Sequence, residues 1–187
     1  MYNGDLNGDG LTANDLIYVP ANQGEIILEK VNANDPRTPA QIWQQLDAYI
    51  KQDPYLSHRR GLYAERNALQ LPFYKRMDLN FTQDFMLKVS GKTNTLRFTA
   101  DIFNFGNLLN KNWGIFNTTS RSTGSGNTYT LLNLARVETT GANTGRPVFT
   151  FPYLDATNQI PLTNSFREST SQGSRFQVQL GIRYIFQ

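Results

Sequence analysis

The chain has 187 residues, of which 39% are hydrophobic, 12% aromatic and 18% charged, and its formal net charge is +3. The basic residues are scattered along the sequence, so the charge gives no support to binding of nucleic acid. There is no cysteine and a single histidine, His58. Disulfides and cysteine-ligated zinc are therefore excluded, and the composition argues against an enzyme.

Hydrophobic runs are short throughout the sequence. None approaches the roughly 18 to 20 apolar residues of a membrane-spanning helix, which excludes a helical membrane protein. Strands of a membrane β-barrel remain compatible, because each needs only about ten alternating residues. The N-terminal residues have neither the basic nor the apolar region of a signal peptide.

An acidic, turn-rich segment occupies residues 3–15. Asp5, Asn7 and Asp9 fall at positions one, three and five of a calcium loop, and Gly10 falls at the sharp turn of position six. The acidic residue expected at position twelve is one position early. The segment therefore predicts either a ligand-free turn or a calcium site, whose ligands would be Asp5, Asn7, Asp9, Asp15 and the carbonyl of Leu11.

One segment carries the signals of a helix. Thr38 is a good N-cap, Pro39 suits the first helical position and Gln41 completes a capping box. Apolar residues then recur at helical spacing up to Asp53, which precedes a proline. We expect a helix over 39–52, with its aromatic side chains packed in a core rather than stacked on a ligand: Trp43, Tyr49 and Tyr55.

Three later segments alternate with a period of two, namely 77–88, 96–102 and 176–186. Their length, and aromatic residues near both ends of the apolar face, fit a bilayer of about 25 Å with two aromatic girdles. A soluble sandwich with long edge strands is the alternative. In the last segment, every even position is apolar: Phe176, Val178, Leu180, Ile182, Tyr184 and Phe186.

Six short motifs follow one another along the chain: GDLNGDG (4–10), NDLIYVP (14–20), RGLYAERN (60–67), MDL (77–79), DIFNFGNLLN (101–110) and WG (113–114). This ordered set resembles TonB-dependent outer-membrane receptors of the Oar-like and SusC-like kind. The C-terminal strand also resembles the last strand of outer-membrane barrels, in which aromatic residues such as Tyr184 and Phe186 signal to the barrel-assembly machinery. The family usually ends on the aromatic residue, whereas here Gln187 follows.

The resemblance implies an all-β fold, in which antiparallel strands form part of a transmembrane β-barrel with long loops and one short loop helix. It implies a location in the outer membrane of a Gram-negative bacterium and import of a bulky ligand. The expected partners are the lipid bilayer, the remainder of the receptor barrel and plug, TonB through an N-terminal part that this chain lacks, and the assembly machinery. The family's barrel has 22 strands, so this chain is expected to be a C-terminal fragment or to be completed by another chain.

The predicted organisation has two parts. Residues 1–75 form a long loop region with the acidic loop and the helix, and residues 76–187 form barrel strands with long loops at 118–128 and 139–172. An aromatic cluster at 149–153 within the second loop is likewise expected to pack in a core, and its place between flexible segments makes exposure a stronger alternative here than around the helix. The alternative function is a soluble calcium-dependent β-rich ligand-binding module, which would have to cover the apolar face of 176–186 with protein.

Overall fold

A computed structural model describes residues 2–11, 14–120, 130–169 and 171–186. The structure has 35% strand and 19% helix. The expectation of a mostly-β fold with antiparallel sheets is thus confirmed, and the described strands form open sheets rather than a closed barrel. Among these residues, no helix is both long and apolar enough to cross a membrane.

Two long strands lie near the middle of the chain, and most of the strands before and after them are short. In chain order, the elements are β1 (Tyr2–Asn3), β2 (Tyr18–Val19), β3 (Ile27–Glu29), α1 (Pro39–Gln52), α2 (Pro54–Ser57), β4 (Leu62–Tyr63), β5 (Leu79–Val89), β6 (Lys92–Phe103), α3 (Phe105–Leu109), β7 (Asn117–Thr119), β8 (Leu132–Val137), β9 (Pro147–Thr150), β10 (Tyr153–Asp155), β11 (Ile160–Pro161), β12 (Phe166–Glu168) and β13 (Gln177–Ile185). Short 3-10 helices lie at Gln23–Glu25, Gly141–Asn143 and Gln172–Ser174.

The chain divides into two compact units. The first comprises Met1–Leu71 and Thr119–Arg167, and the second comprises Pro72–Thr118 and Glu168–Gln187. This division differs from the linear boundary at 75/76, because β8 and β9 pair with strands near the N-terminus. The four-stranded sheet of the first unit has the order β1-β8-β9-β3.

The first unit is organised around helix α1. Its capping box forms as the sequence predicts, since Thr38 Oγ1 accepts a hydrogen bond from Gln41 N and Gln41 Oε1 accepts one from Thr38 N. The helix buries one face in a core with residues from β2, β3, β8 and β9. The buried residues of the helix are Ile42, Leu46, Tyr49 and Ile50.

The second unit is built on a three-stranded antiparallel sheet of order β13-β6-β5. Strands β5 and β6 form a hairpin whose two-residue turn is Ser90 and Gly91, both with positive φ (51° and 80°). This is the turn geometry that matches the twist of two antiparallel strands. The described strands leave one edge of β5 and one edge of β13 unpaired.

The predicted loop at 139–172 is corrected by the structure. It contains β9, β10, β11 and β12, and β9 lies between β3 and β8 in a sheet. The aromatic cluster within it is buried, in agreement with the favoured interpretation, because Phe149, Phe151 and Tyr153 pack in or beside the core of the first unit. Most of the predicted loop at 118–128 lies outside the described residues.

Candidate functional site

One face of the β13-β6-β5 sheet is apolar across all three strands. The pairing places Leu180 opposite Ala100, and Ala100 opposite Phe81, so one apolar row crosses the middle of the sheet. The rows on either side continue the same face. They are Leu79, Ile102 and Val178; Gln83, Phe98 and Ile182; and Phe85, Leu96 and Tyr184, so Gln83 is the single polar residue in these four rows.

The apolar side chains of the outer strand are not covered. The exposed fractions are 51% for Val178, 75% for Leu180 and 72% for Ile182. Large exposed apolar patches of this kind mark surfaces that meet a protein partner or a membrane. The expected alternation of 176–186 is confirmed over β13, whose even residues face one side and whose odd residues face the other.

The opposite face of the same sheet is polar. Arg97 donates two hydrogen bonds to the carboxylate of Asp84, from Nε and Nη2, each 2.7 Å long. Two rows away on the same face, Asn80 donates to its cross-strand partner Asp101. The sheet therefore has one apolar face and one polar face, and side chains of the polar face are hydrogen-bonded to one another.

The residues predicted as an assembly signal lie at the end of β13. Tyr184 pairs with Leu96, and Phe186 follows the strand. Their rings stack with centroids 6.2 Å apart, and both side chains are exposed. The aromatic end of the strand is thus accessible, while its role as a signal stays a prediction.

The acidic loop is held by its own backbone amides. Asp5 accepts hydrogen bonds from the N–H groups of Gly8, Asp9 and Gly10, at 2.6 to 3.1 Å. Asp15 Oδ2 closes the loop by accepting from Leu6 N at 2.7 Å. The N–H of Leu11 and the amide of Asn14 lower the pKa of Asp9.

These contacts leave calcium binding as a prediction. Among the described residues, no group of three or more His, Cys, Asp or Glu side chains is arranged to hold a metal ion. Asn7 Oδ1 also accepts an N–H within the loop, from Asp9. Asn14 Oδ1, in contrast, is buried and has no hydrogen-bond partner among the residues that the structure describes, and an amide oxygen is a ligand type that Ca²⁺ takes.

Comparisons of the chain with models of known families, with curated proteins and with solved structures find no match. Support for a function therefore comes from the sheet, the acidic loop and the clefts of the two units. Of the aromatic residues near helix α1, Tyr49 is buried as expected and Trp43 packs against the core.

The second unit has a cleft of about 630 Å³ that sequence reasoning did not find. Phe73 and Trp113 line it, with exposed fractions of 83% and 57%. Two charged side chains, Lys75 and Glu168, also line it. The segments that line the cleft are far apart along the chain, so no local motif indicates it. The sole signal in the sequence was the presence of two aromatic residues in irregular segments.

Proposed function

We propose that the chain is the C-terminal part of the barrel of a TonB-dependent outer-membrane receptor. The observation that carries the proposal is the exposed apolar face of the β13-β6-β5 sheet, backed by a polar face. Outer-membrane barrels have this arrangement, with apolar side chains toward lipid and polar side chains toward the lumen. A soluble module would have to cover the apolar face, so its exposure favours lipid.

The strand dimensions support the same proposal. Strand β5 has 11 residues and β6 has 12. A strand of that length extends for about 36 Å, and a tilt of about 45° reduces the thickness it crosses to about 25 Å, the height of the apolar band of such barrels. The unpaired edges of β5 and β13 would then pair with neighbouring strands of the barrel, because a sheet edge is not tolerated in hydrocarbon.

The connections give the sheet an orientation. The turn at Ser90 and Gly91 is short, whereas the connection between β6 and β13 spans 104–176. Outer-membrane barrels have short periplasmic turns and long extracellular loops. In the proposed receptor, Ser90 and Gly91 face the periplasm and the β6-β13 connection begins and ends on the extracellular side.

The proposed receptor performs no covalent chemistry. Its extracellular loops bind a bulky ligand, and TonB drives rearrangement of a plug so that the ligand passes through the lumen. The polar face that carries Asp84 and Arg97 lines that passage. The residues of this chain therefore serve to hold the wall of the barrel and to present loops.

A substitution on the apolar face tests the proposal. Leu180→Arg, in the middle row, should raise the free energy of folding into lipid vesicles by about 2 to 4 kcal/mol, because a lipid-facing arginine near the midplane costs that much. The matched control is Gln179→Arg on the polar face, which should cost less than about 1 kcal/mol. Urea titration of the receptor that contains this chain, refolded into vesicles, measures both. Equal costs for the two variants would refute a lipid-facing Leu180.

A further inference from the structure

The cleft of the second unit combines exposed aromatic surface with charged groups. Its volume of about 630 Å³ falls within the range of small-ligand sites, about 300 to 1,000 Å³. Phe73 and Trp113 give it flat apolar surfaces, and both rings are open to solvent. Two amide side chains, Asn112 and Asn117, complete the part of the lining that can donate and accept hydrogen bonds.

The charged residues that line the cleft differ in whether they form an ion pair. Arg76 lines the cleft but is neutralised by Asp78, whose Oδ1 lies 2.7 Å from Arg76 Nε. Lys75 is different, because its contact is the ring of Phe73, 5.5 Å from Nζ. Neither Lys75 nor Glu168 forms an ion pair with another residue that the structure describes. The cleft thus presents one cation and one anion that have no counterion within the described part of the chain.

We propose that this cleft binds a short peptide with free amino and carboxyl termini. Lys75 would bind the carboxylate and Glu168 the ammonium group, while Phe73 and Trp113 would pack on an apolar side chain. The amides of Asn112 and Asn117 match the donor and acceptor of a peptide bond. A neutral sugar could use the rings and the amides but would leave both charges unused.

This inference rests on the proposed function, because it names the class of molecule that the receptor binds. The full chain in detergent micelles is titrated with glycyl-phenylalanyl-glycine and with the same tripeptide acetylated at its N-terminus and amidated at its C-terminus. Isothermal titration calorimetry gives the affinities, and quenching of tryptophan fluorescence, lost in Trp113→Phe, locates the peptide. The free peptide should bind at least about tenfold more tightly than the blocked one, since both charged contacts are lost together.

The variants Lys75→Gln and Glu168→Gln should each weaken binding of the free peptide about fivefold and leave the blocked peptide unaffected. Lys88→Gln, which removes an exposed charge from β5, should change neither affinity.

Equal affinities for the two peptides, preferential binding of cellotriose, or no binding at about 10 mM would overturn the proposal. If these results appear while Leu180→Arg still costs more folding free energy than Gln179→Arg, the peptide site fails alone. If the peptide binds and the two variants cost the same, the receptor proposal fails and the site remains.

Discussion

A buried ion pair in the first unit joins Asp35 to Arg37. Arg37 Nη2 lies 2.8 Å from Asp35 Oδ2, and Tyr153 donates a hydrogen bond to the same carboxylate. Arg37 Nη2 also donates to the carbonyl of Phe151, and its guanidinium stacks on the ring of Tyr153 at 3.8 Å. These contacts lower the pKa of Asp35, with the hydrogen bonds from Arg37 as the largest cause. Both charges are thus compensated within the protein.

Arg37→Met should destabilise the first unit by about 3 to 5 kcal/mol, because it leaves the Asp35 carboxylate buried without its partner. The control is Arg136→Met, whose side chain is 51% exposed and pairs with Glu29 and Glu138, and it should cost less than about 1 kcal/mol. Because the pKa of Asp35 is lowered on folding, its stabilisation is present above about pH 4 and is lost as the pH falls toward the lowered pKa. Urea unfolding across that pH range, followed by fluorescence, measures both effects, and equal losses in the two variants would contradict the buried-pair explanation.

The acidic loop gives a second prediction. If calcium binds, protection of this loop from proteolysis should appear at about 1 mM Ca²⁺ and should be absent in the double variant Asp5→Ala with Asp9→Ala, which removes two of the carboxylates. Asp155→Ala is a matched control, because Asp155 holds an equivalent turn by accepting from Thr157 N and Asn158 N. Calorimetric titration that shows no heat of binding for the unaltered chain would leave a turn without a metal.

The two candidate sites differ in how far the sequence reveals them. Asp5, Asn7 and Asp9 lie within five residues, so their spacing alone brings oxygen atoms together and can be read directly. The cleft around Trp113 depends on how 73–77, 112–117 and 168 approach one another in three dimensions. Each segment is irregular or very short, and no periodicity fixes its partners, so the sequence could not identify this site.

The elements that the sequence predicts are those whose stabilising contacts lie close together along the chain. Helix α1 follows from contacts within four residues, and β5 and β6 follow from alternation across a two-residue turn. Strand β9 depends on partners far away, since Val148 pairs with Ile27 in a parallel ladder. Its four residues carry too short a pattern to be read as a strand, and the polar residues around it resemble a loop.

The cap of helix α1 can be tested by itself. Thr38→Ala should lower the stability of the first unit by about 1 kcal/mol, because it removes the side-chain acceptor of the Gln41 N–H. Thr140→Ala is the matched control, since Thr140 occupies a cap position without a side-chain hydrogen bond. Trp43 lies in the helix, so denaturation followed by its fluorescence reports on this element. A loss in Thr140→Ala as large as in Thr38→Ala would show that the capping hydrogen bond is not the cause.

The grouping of 119–167 with the first 71 residues has a simple physical reason. Strand β8 pairs with β1 and β9, and β9 pairs with β3, so the later segment completes a sheet begun near the N-terminus. Its apolar residues Leu131, Leu132 and Phe151 then share a core with helix α1. A single boundary along the sequence, such as 75/76, cannot predict this shared core, because burial here depends on pairing between segments that are distant in sequence. In the second unit, no described segment covers the apolar residues of β13, which remain exposed.

The exposed sheet determines how the chain should behave outside a membrane. In buffer without detergent, the apolar face and the unpaired edges of β5 and β13 should drive self-association, since an open edge pairs readily with another chain. Detergent should keep the chain dispersed. Replacing Val178, Leu180 and Ile182 together by threonine should slow association in buffer, because it removes apolar surface while threonine, which is β-branched, still favours a strand. The matched control replaces Gln177, Gln179 and Arg183 on the other face by threonine, and it should not slow association. Sedimentation velocity measures each case, and a monomer in buffer with cooperative unfolding would contradict the receptor proposal and favour a soluble binding module.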